Sequence, residues 1–126
     1  MALPMRRERG AAQLVRSSQS CGASPHARCC QVVGNAASYF GGGAYSGTLA
    51  DCIISTNSGT LGGGAAYSSS ISCLFVGNSA NSGGAASSGV LINCKVIGNS
   101  ASTGGGIAYG RLSGCAISGN SASGSG

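Results

Sequence analysis

Residues 73–94 read Cys73-Leu74-Phe75-Val76-Gly77-Asn78-Ser79-Ala80-Asn81-Ser82-Gly83-Gly84-Ala85-Ala86-Ser87-Ser88-Gly89-Val90-Leu91-Ile92-Asn93-Cys94, and the chain repeats this pattern on both sides. Cys30, Cys52, Cys73, Cys94 and Cys115 follow one another at intervals of 22, 21, 21 and 21 residues. Five positions after each Cys comes an Asn: Asn35, Asn57, Asn78, Asn99 and Asn120. Two positions after each Cys the side chain is apolar, at Val32, Ile54, Phe75, Val96 and Ile117. Gly34, Gly77, Gly98 and Gly119 precede four of the Asn, and a small residue follows each Asn two positions on, at Ala37, Gly59, Ala80, Ala101 and Ala122. A cluster comes next, Gly41-Gly42-Gly43, Gly62-Gly63-Gly64, Gly83-Gly84-Ala85 or Gly104-Gly105-Gly106, leading into Ala44, Ala65, Ala86 or Ile107. The extra residue of the first unit lies between Asn35 and Gly41, where a loop is expected.

A fixed period of this length marks a stacked-repeat architecture. No segment between the marks carries the ten or more residues of 3.6-periodic apolar pattern that an amphipathic helix needs. Strand alternation instead places each Cys and the residue two later on one face. The repeat therefore predicts an all-β fold, a right-handed parallel β-helix of about 21 residues per coil and four to five coils over residues 30–126. Each coil is too thin to bury a core alone, so neighbours must stack. Gly41, Gly42, Gly62, Gly63, Gly83, Gly84, Gly104 and Gly105 are the coil-turn glycines, needed for positive φ and close coil approach. The fifth unit stops before its glycine cluster, so its ends look unprotected and a piece of a longer solenoid is expected.

Composition agrees with a folded chain of one domain. Gly and Pro together make 26 of 126 residues, below the roughly 25–30% of low-complexity disorder, and mean hydropathy is positive at +0.22. Charge is scarce and unevenly placed. Residues 1–29 hold Arg6, Arg7, Arg9, Arg16 and Arg28 against Glu8, a net +4, and the rest hold Lys95 and Arg111 against Asp51, a net +1. Residues 1–29 thus read as a basic N-terminal extension, disordered or folded weakly over the first coil through Met5 to Arg16. Its arginines attract anions weakly, and no specific nucleic-acid partner is indicated. No apolar run approaches the roughly 18 residues of a membrane span, and no secretory signal is legible.

The repeated residues have structural readings first. An in-register Asn column bonds the turn backbone and the Asn above and below, and amides without carboxylates bind hard cations weakly. For the Cys column three readings stand: buried free thiols, which packing favours, disulfides between rungs, and a metal-binding thiol ladder, for which the spacing is wrong. Cys21 and Cys29 lie outside the column. The glycine clusters lack the features of a phosphate loop. Tyr67 and Tyr109 share a coil position with Ser46 and Ser88; such aromatics cover surface, and an outward aromatic row is one way to contact carbohydrate.

Enzyme chemistry has little to stand on. Glu8 and Asp51 are the only acids and His26 the only His, so no paired carboxylates, acidic cation site or nucleophile triad can be assembled. Lys95 and Arg111 read as solvated charges. No catalytic residue, metal ligand or cofactor is predicted. Ice binding calls for a column of Thr, which residues 48, 56, 60 and 103 do not form.

Phe75-Val76-Gly77-Asn78, then Ser79-Ala80-Asn81-Ser82, then Gly83-Gly84-Ala85-Ala86 resembles the paired F-x-x-N and G-G-A-I repeats of polymorphic outer membrane proteins. The resemblance extends to Val96-Ile97-Gly98-Asn99 with Gly105-Gly106-Ile107 and to Ile117-Ser118-Gly119-Asn120, covering residues 30–126, although only Phe75 supplies the Phe. It implies a three-sheeted β-helix in a surface-exposed or secreted bacterial passenger region, commonly an autotransporter passenger, with structural or adhesive use. Partners implied are a host-surface protein or carbohydrate, with further coils or another chain at the ends. The alternative within the fold class is a piece of a polysaccharide lyase or hydrolase whose active site lies outside this chain.

Overall fold

The computed structural model describes the backbone of His26–Arg28 and residues 31–125. Among these residues every regular element is a strand, and every pairing is parallel. The chain is a β-solenoid of about five turns.

Each coil runs through four strands, assigned to four sheets. Sheet A follows the Cys and comprises β2 (Gln31–Val33), β5 (Ile53–Ser55), β9 (Leu74–Val76), β13 (Lys95–Ile97) and β17 (Ala116–Ser118). Sheet B follows the Asn and comprises β6 (Ser58–Leu61), β10 (Ser79–Ser82), β14 (Ser100–Thr103) and β18 (Ser121–Ser125), with Ala36 joining through one bridge to Ser58. Sheet C follows the glycine cluster: β3 (Ala44–Tyr45), β7 (Ala65–Ala66), β11 (Ala86–Ser87) and β15 (Ile107–Ala108). Sheet D returns toward the next Cys: β1 (His26–Arg28), β4 (Thr48–Ala50), β8 (Ser69–Ile71), β12 (Val90–Ile92) and β16 (Arg111–Ser113).

The three-sheeted coil implied by the resemblance is thus corrected to a four-sided one. The reason lies in the corners, each a column of left-handed backbone. Between A and B stand Gly34, Thr56, Gly77, Gly98 and Gly119, and between B and C stand Gly62, Gly83 and Gly104. Ser46, Tyr67, Ser88 and Tyr109 turn C into D, and Asp51, Ser72, Asn93 and Gly114 turn D into A. A left-handed L-residue costs about 1–2 kcal/mol, and Ser46, Asp51, Thr56, Tyr67, Ser72, Ser88 and Asn93 each donate an N–H to a carbonyl of the following coil, which holds them there. Thr56, a β-branched residue where the other units place Gly, is the least comfortable of them.

Register holds through the stack except for one shift between Ala101 and Thr103, where β14 meets β18. Ile54 pairs with Phe75 and Phe75 with Val96, Leu49 with Ser70 and Ser70 with Leu91, and Ala65 with Ala86. The inward columns make the core: Val32, Ile54, Phe75 and Val96 from sheet A, Leu49 and Leu91 from sheet D, Ala44, Ala65 and Ala86 from sheet C, and Cys52, Cys73 and Cys94 at the D–A corner. The middle glycine of each cluster has no alternative. A Cβ on Gly42, Gly63 or Gly105 would run into the carbonyl of Ser58, Ser79 or Ser121 of sheet B, one coil on.

Two expectations change at the ends. His26–Arg28 pairs in register with Thr48–Ala50, so the described solenoid reaches into the stretch assigned to the extension. The rest of that extension, including Met5 to Arg16, lies outside the described residues, as do Cys21, Cys29 and Cys30. The two ends also differ. Val32, Asn35 and Ala44 of the first rung are fully enclosed, whereas Leu112 and Ile117 of the last are about half exposed.

Candidate functional site

The Asn column forms one continuous ladder. The Oδ1 of Asn57 accepts from the backbone N–H and Nδ2 of Asn35 at 2.9 and 3.1 Å, and its own N and Nδ2 both donate to Asn78 Oδ1 at 3.0 Å. Asn78 donates likewise to Asn99 at 2.9 Å, and Asn99 to Asn120 at 2.8 and 2.9 Å. The second amide hydrogen reaches back to a sheet A carbonyl of the preceding coil: Asn57 to Val32, Asn78 to Ile54, Asn99 to Phe75 and Asn120 to Val96, at 2.8–3.0 Å. Asn35, Asn57, Asn78 and Asn99 are each 1% exposed. Their polar atoms are committed to the stack, which leaves nothing for a ligand.

Cys52, Cys73, Cys94 and Cys115 are thiols outside any disulfide, the first three buried and the last partly open. Each donates to a backbone carbonyl: Cys52 to Ala50 at 3.1 Å, Cys73 to Ile71 at 3.3 Å, Cys94 to Ser70 and Ile92 at 3.4 Å, and Cys115 to Leu91 at 3.3 Å. The Cys52 and Cys94 thiols beside Cys73, together with burial, push the Cys73 thiol well above the usual range. The column behaves as small interior hydrophobes. Among the described residues no cluster of three or more His, Cys, Asp or Glu has the arrangement of a metal site.

The outward faces are where chemistry is accessible. A shallow groove of about 340 Å³ follows the D–A corner past Asp51, Ser72 and Asn93 to Lys95, with the apolar Ile53 and Leu74 on its flank. Sheet B carries an exposed hydroxyl column, Ser58, Ser79, Ser100 and Ser121. Near the open end a second groove of about 280 Å³ lies among Gly104, Gly105, Ile107, Leu112, Ile117 and Asn120.

One cluster has no counterpart in the repeat pattern. Tyr39, Phe40 and Tyr45 of the first coil converge on Tyr67 of the second, with Phe40 and Tyr45 stacked at 4.8 Å and 13° and both edge-on to Tyr67 at 5.8 and 6.0 Å. Tyr39 leans on Phe40 at 4.5 Å. Sequence periodicity could not find it, because the four rings occupy different coil positions. Its one visible signal was the extra residue between Asn35 and Gly41, which supplies the loop bearing Tyr39 and Phe40.

Among the described residues no helix is long and apolar enough to cross a membrane. No protein-family model, curated protein or solved structure matches this chain.

Proposed function

We propose that this chain is a non-enzymatic structural and adhesive repeat segment, a rigid β-solenoid that presents its outward faces to partners. The single observation that carries the reading is the interior: Asn amides and thiols are spent on internal bonds and apolar columns fill the space between them, so contact falls to the four outer faces. The motif resemblance to polymorphic outer membrane proteins supports placement on a bacterial surface or in a secreted passenger, with a host-surface protein or carbohydrate as partner.

Two assays test this. The chain coupled to beads is expected to be retained on surfaces coated with host-cell glycans or matrix proteins, and to release no product from neutral or acidic polysaccharides. Appearance of reducing ends or unsaturated products on incubation with pectate or a similar polyuronate overturns the scaffold reading in favour of a lyase or hydrolase.

A further inference from the structure

Solenoid insertions fall in loops on one face, often the binding face. Here the single break in the 21-residue period lies within the loop that bears Tyr39 and Phe40. The loop is built in, not draped on. The Tyr39 carbonyl accepts the N–H groups of Thr60 and Leu61 at 2.8 and 2.9 Å, and the Thr60 hydroxyl donates to the Ser38 carbonyl at 3.2 Å. The second unit has Gly59 where later units have Ala, and a Cβ there would stand 2.6 Å from the Phe40 carbonyl. Two departures from the repeat, in adjacent coils, thus serve one object.

That object is an aromatic row. Tyr39 is 47% exposed and Tyr67 49%, and Tyr109, two rungs further along the column of Tyr67, is 83% exposed. At about 4.8 Å per rung the last two stand roughly 10 Å apart, close to the length of one disaccharide unit. We propose that Tyr39, Tyr67 and Tyr109 form a binding platform for a neutral saccharide chain lying along the solenoid axis.

The chemistry selects this ligand class. Tyrosine joins an apolar ring to a polar tip, matching the C–H face and hydroxyl rim of a pyranose. The cluster of Tyr39, Phe40, Tyr45 and Tyr67 contains no charged residue, and Arg111, two residues beyond Tyr109 in sequence, is the one cation that adjoins the row, so a polyanionic glycan finds little counter-charge along it. A protein partner is disfavoured by size. At about 200 Å² per ring the exposed fractions offer roughly 350 Å², short of the ~500 Å² that each partner contributes to even a small stable protein interface. The proposal deepens the scaffold reading and rests on it, since only a rigid stack holds Tyr67 and Tyr109 in line.

The chain has no Trp, and three of its four Tyr form the row with the fourth packed beneath it, so tyrosine fluorescence reads the platform directly. The intact chain is titrated with cellohexaose, maltohexaose and chitohexaose, and with heparin as the acidic comparison. A saturable, salt-insensitive change with at least one neutral hexamer is expected, weakened about 2- to 10-fold in Tyr67→Ala and in Tyr109→Ala and retained in Tyr67→Phe. Tyr109→Ala guards against misfolding, because that side chain is almost wholly in solvent. No saturable change with any hexamer, a response in both Ala variants undiminished from that of the parent, a salt-sensitive response to heparin alone, or a change driven by protein concentration without sugar overturns the proposal. Circular dichroism on the same samples separates the two readings: β-structure without a sugar response ends the saccharide assignment alone, whereas loss of β-structure ends both.

Discussion

At the scale of the residue, Asn78 is the position on which most depends. Asn78→Ala leaves the N–H and Nδ2 of Asn57 without their acceptor and the Ile54 carbonyl without its donor. Two buried donors orphaned at about 1–3 kcal/mol each predict a loss of about 3 kcal/mol, or roughly 10–20 °C in the thermal midpoint followed by circular dichroism. Asn120→Ala should cost visibly less, since Asn120 itself lies at the half-open last rung, where water can reach in and replace its amide. The thiols give a pH prediction. The folded state holds the Cys73 proton more tightly than the unfolded chain, where a thiol titrates near 8.5. The unfolded state therefore loses its proton first, so stability is fully present below that value and falls as pH rises above about 9. The hydrogen bond from Cys73 pulls the Cys94 thiol the other way, down to about 6, and that contribution is complete by about pH 8.5, so denaturant midpoints at pH 9 and pH 11 isolate the Cys73 loss. Cys115 should react with a thiol reagent in the native state well before Cys52, Cys73 and Cys94.

At the scale of the element, neighbouring strands share one interior and must trade volume. In the coil of β8 and β9 the inward residues are Ser70 and Phe75, whereas the adjoining coils pair Leu49 with Ile54 and Leu91 with Val96. The largest interior side chain thus accompanies the smallest of the sheet D column, and the Ser70 hydroxyl is left without a hydrogen-bond partner. Ser70→Leu alone should destabilise by about 1–3 kcal/mol through overpacking. Phe75→Val alone should lose about 2–3 kcal/mol through the cavity it leaves. Together they reproduce the Leu91–Val96 rung, so the double variant is expected within about 1 kcal/mol of the parent. A double-mutant cycle by urea unfolding measures this, and strict additivity would count against volume compensation. The apolar column through Phe75 was legible in the sequence because every unit repeats it. Ser70 was not, since its column mixes Leu and Ser and only the shared rung shows what Ser70 accommodates.

At the scale of the whole molecule, the stack behaves as a one-dimensional series of nearest-neighbour contacts. Deleting residues 73–93 removes one complete coil and rejoins Ser72 to Cys94, leaving every column in register. That variant should fold, with a lower thermal midpoint and an unchanged β-type dichroism spectrum. Deleting 74–93 removes one residue fewer and shifts the Cys and Asn columns out of line, so it should fail to give a cooperative transition. Equal behaviour of the two would mean that the columns do not set the register.

The sequence by itself determined the period, the parallel stacking, the Asn and Cys columns and the glycine turns. Each of these repeats a side chain, or the lack of one, wherever successive coils touch. Only the tertiary structure decided that the coil has four sides, because two of its corner columns keep no single residue type: Ser46, Tyr67, Ser88 and Tyr109 at one, Asp51, Ser72, Asn93 and Gly114 at the other. Rung-to-rung hydrogen bonds hold those residues left-handed, and such bonds depend on backbone position, not on side-chain identity. The aromatic row belongs to the same category. Tyr39, Phe40, Tyr45 and Tyr67 meet because one inserted residue carries a loop sideways across Gly59, a lateral contact between coils that a linear period does not encode.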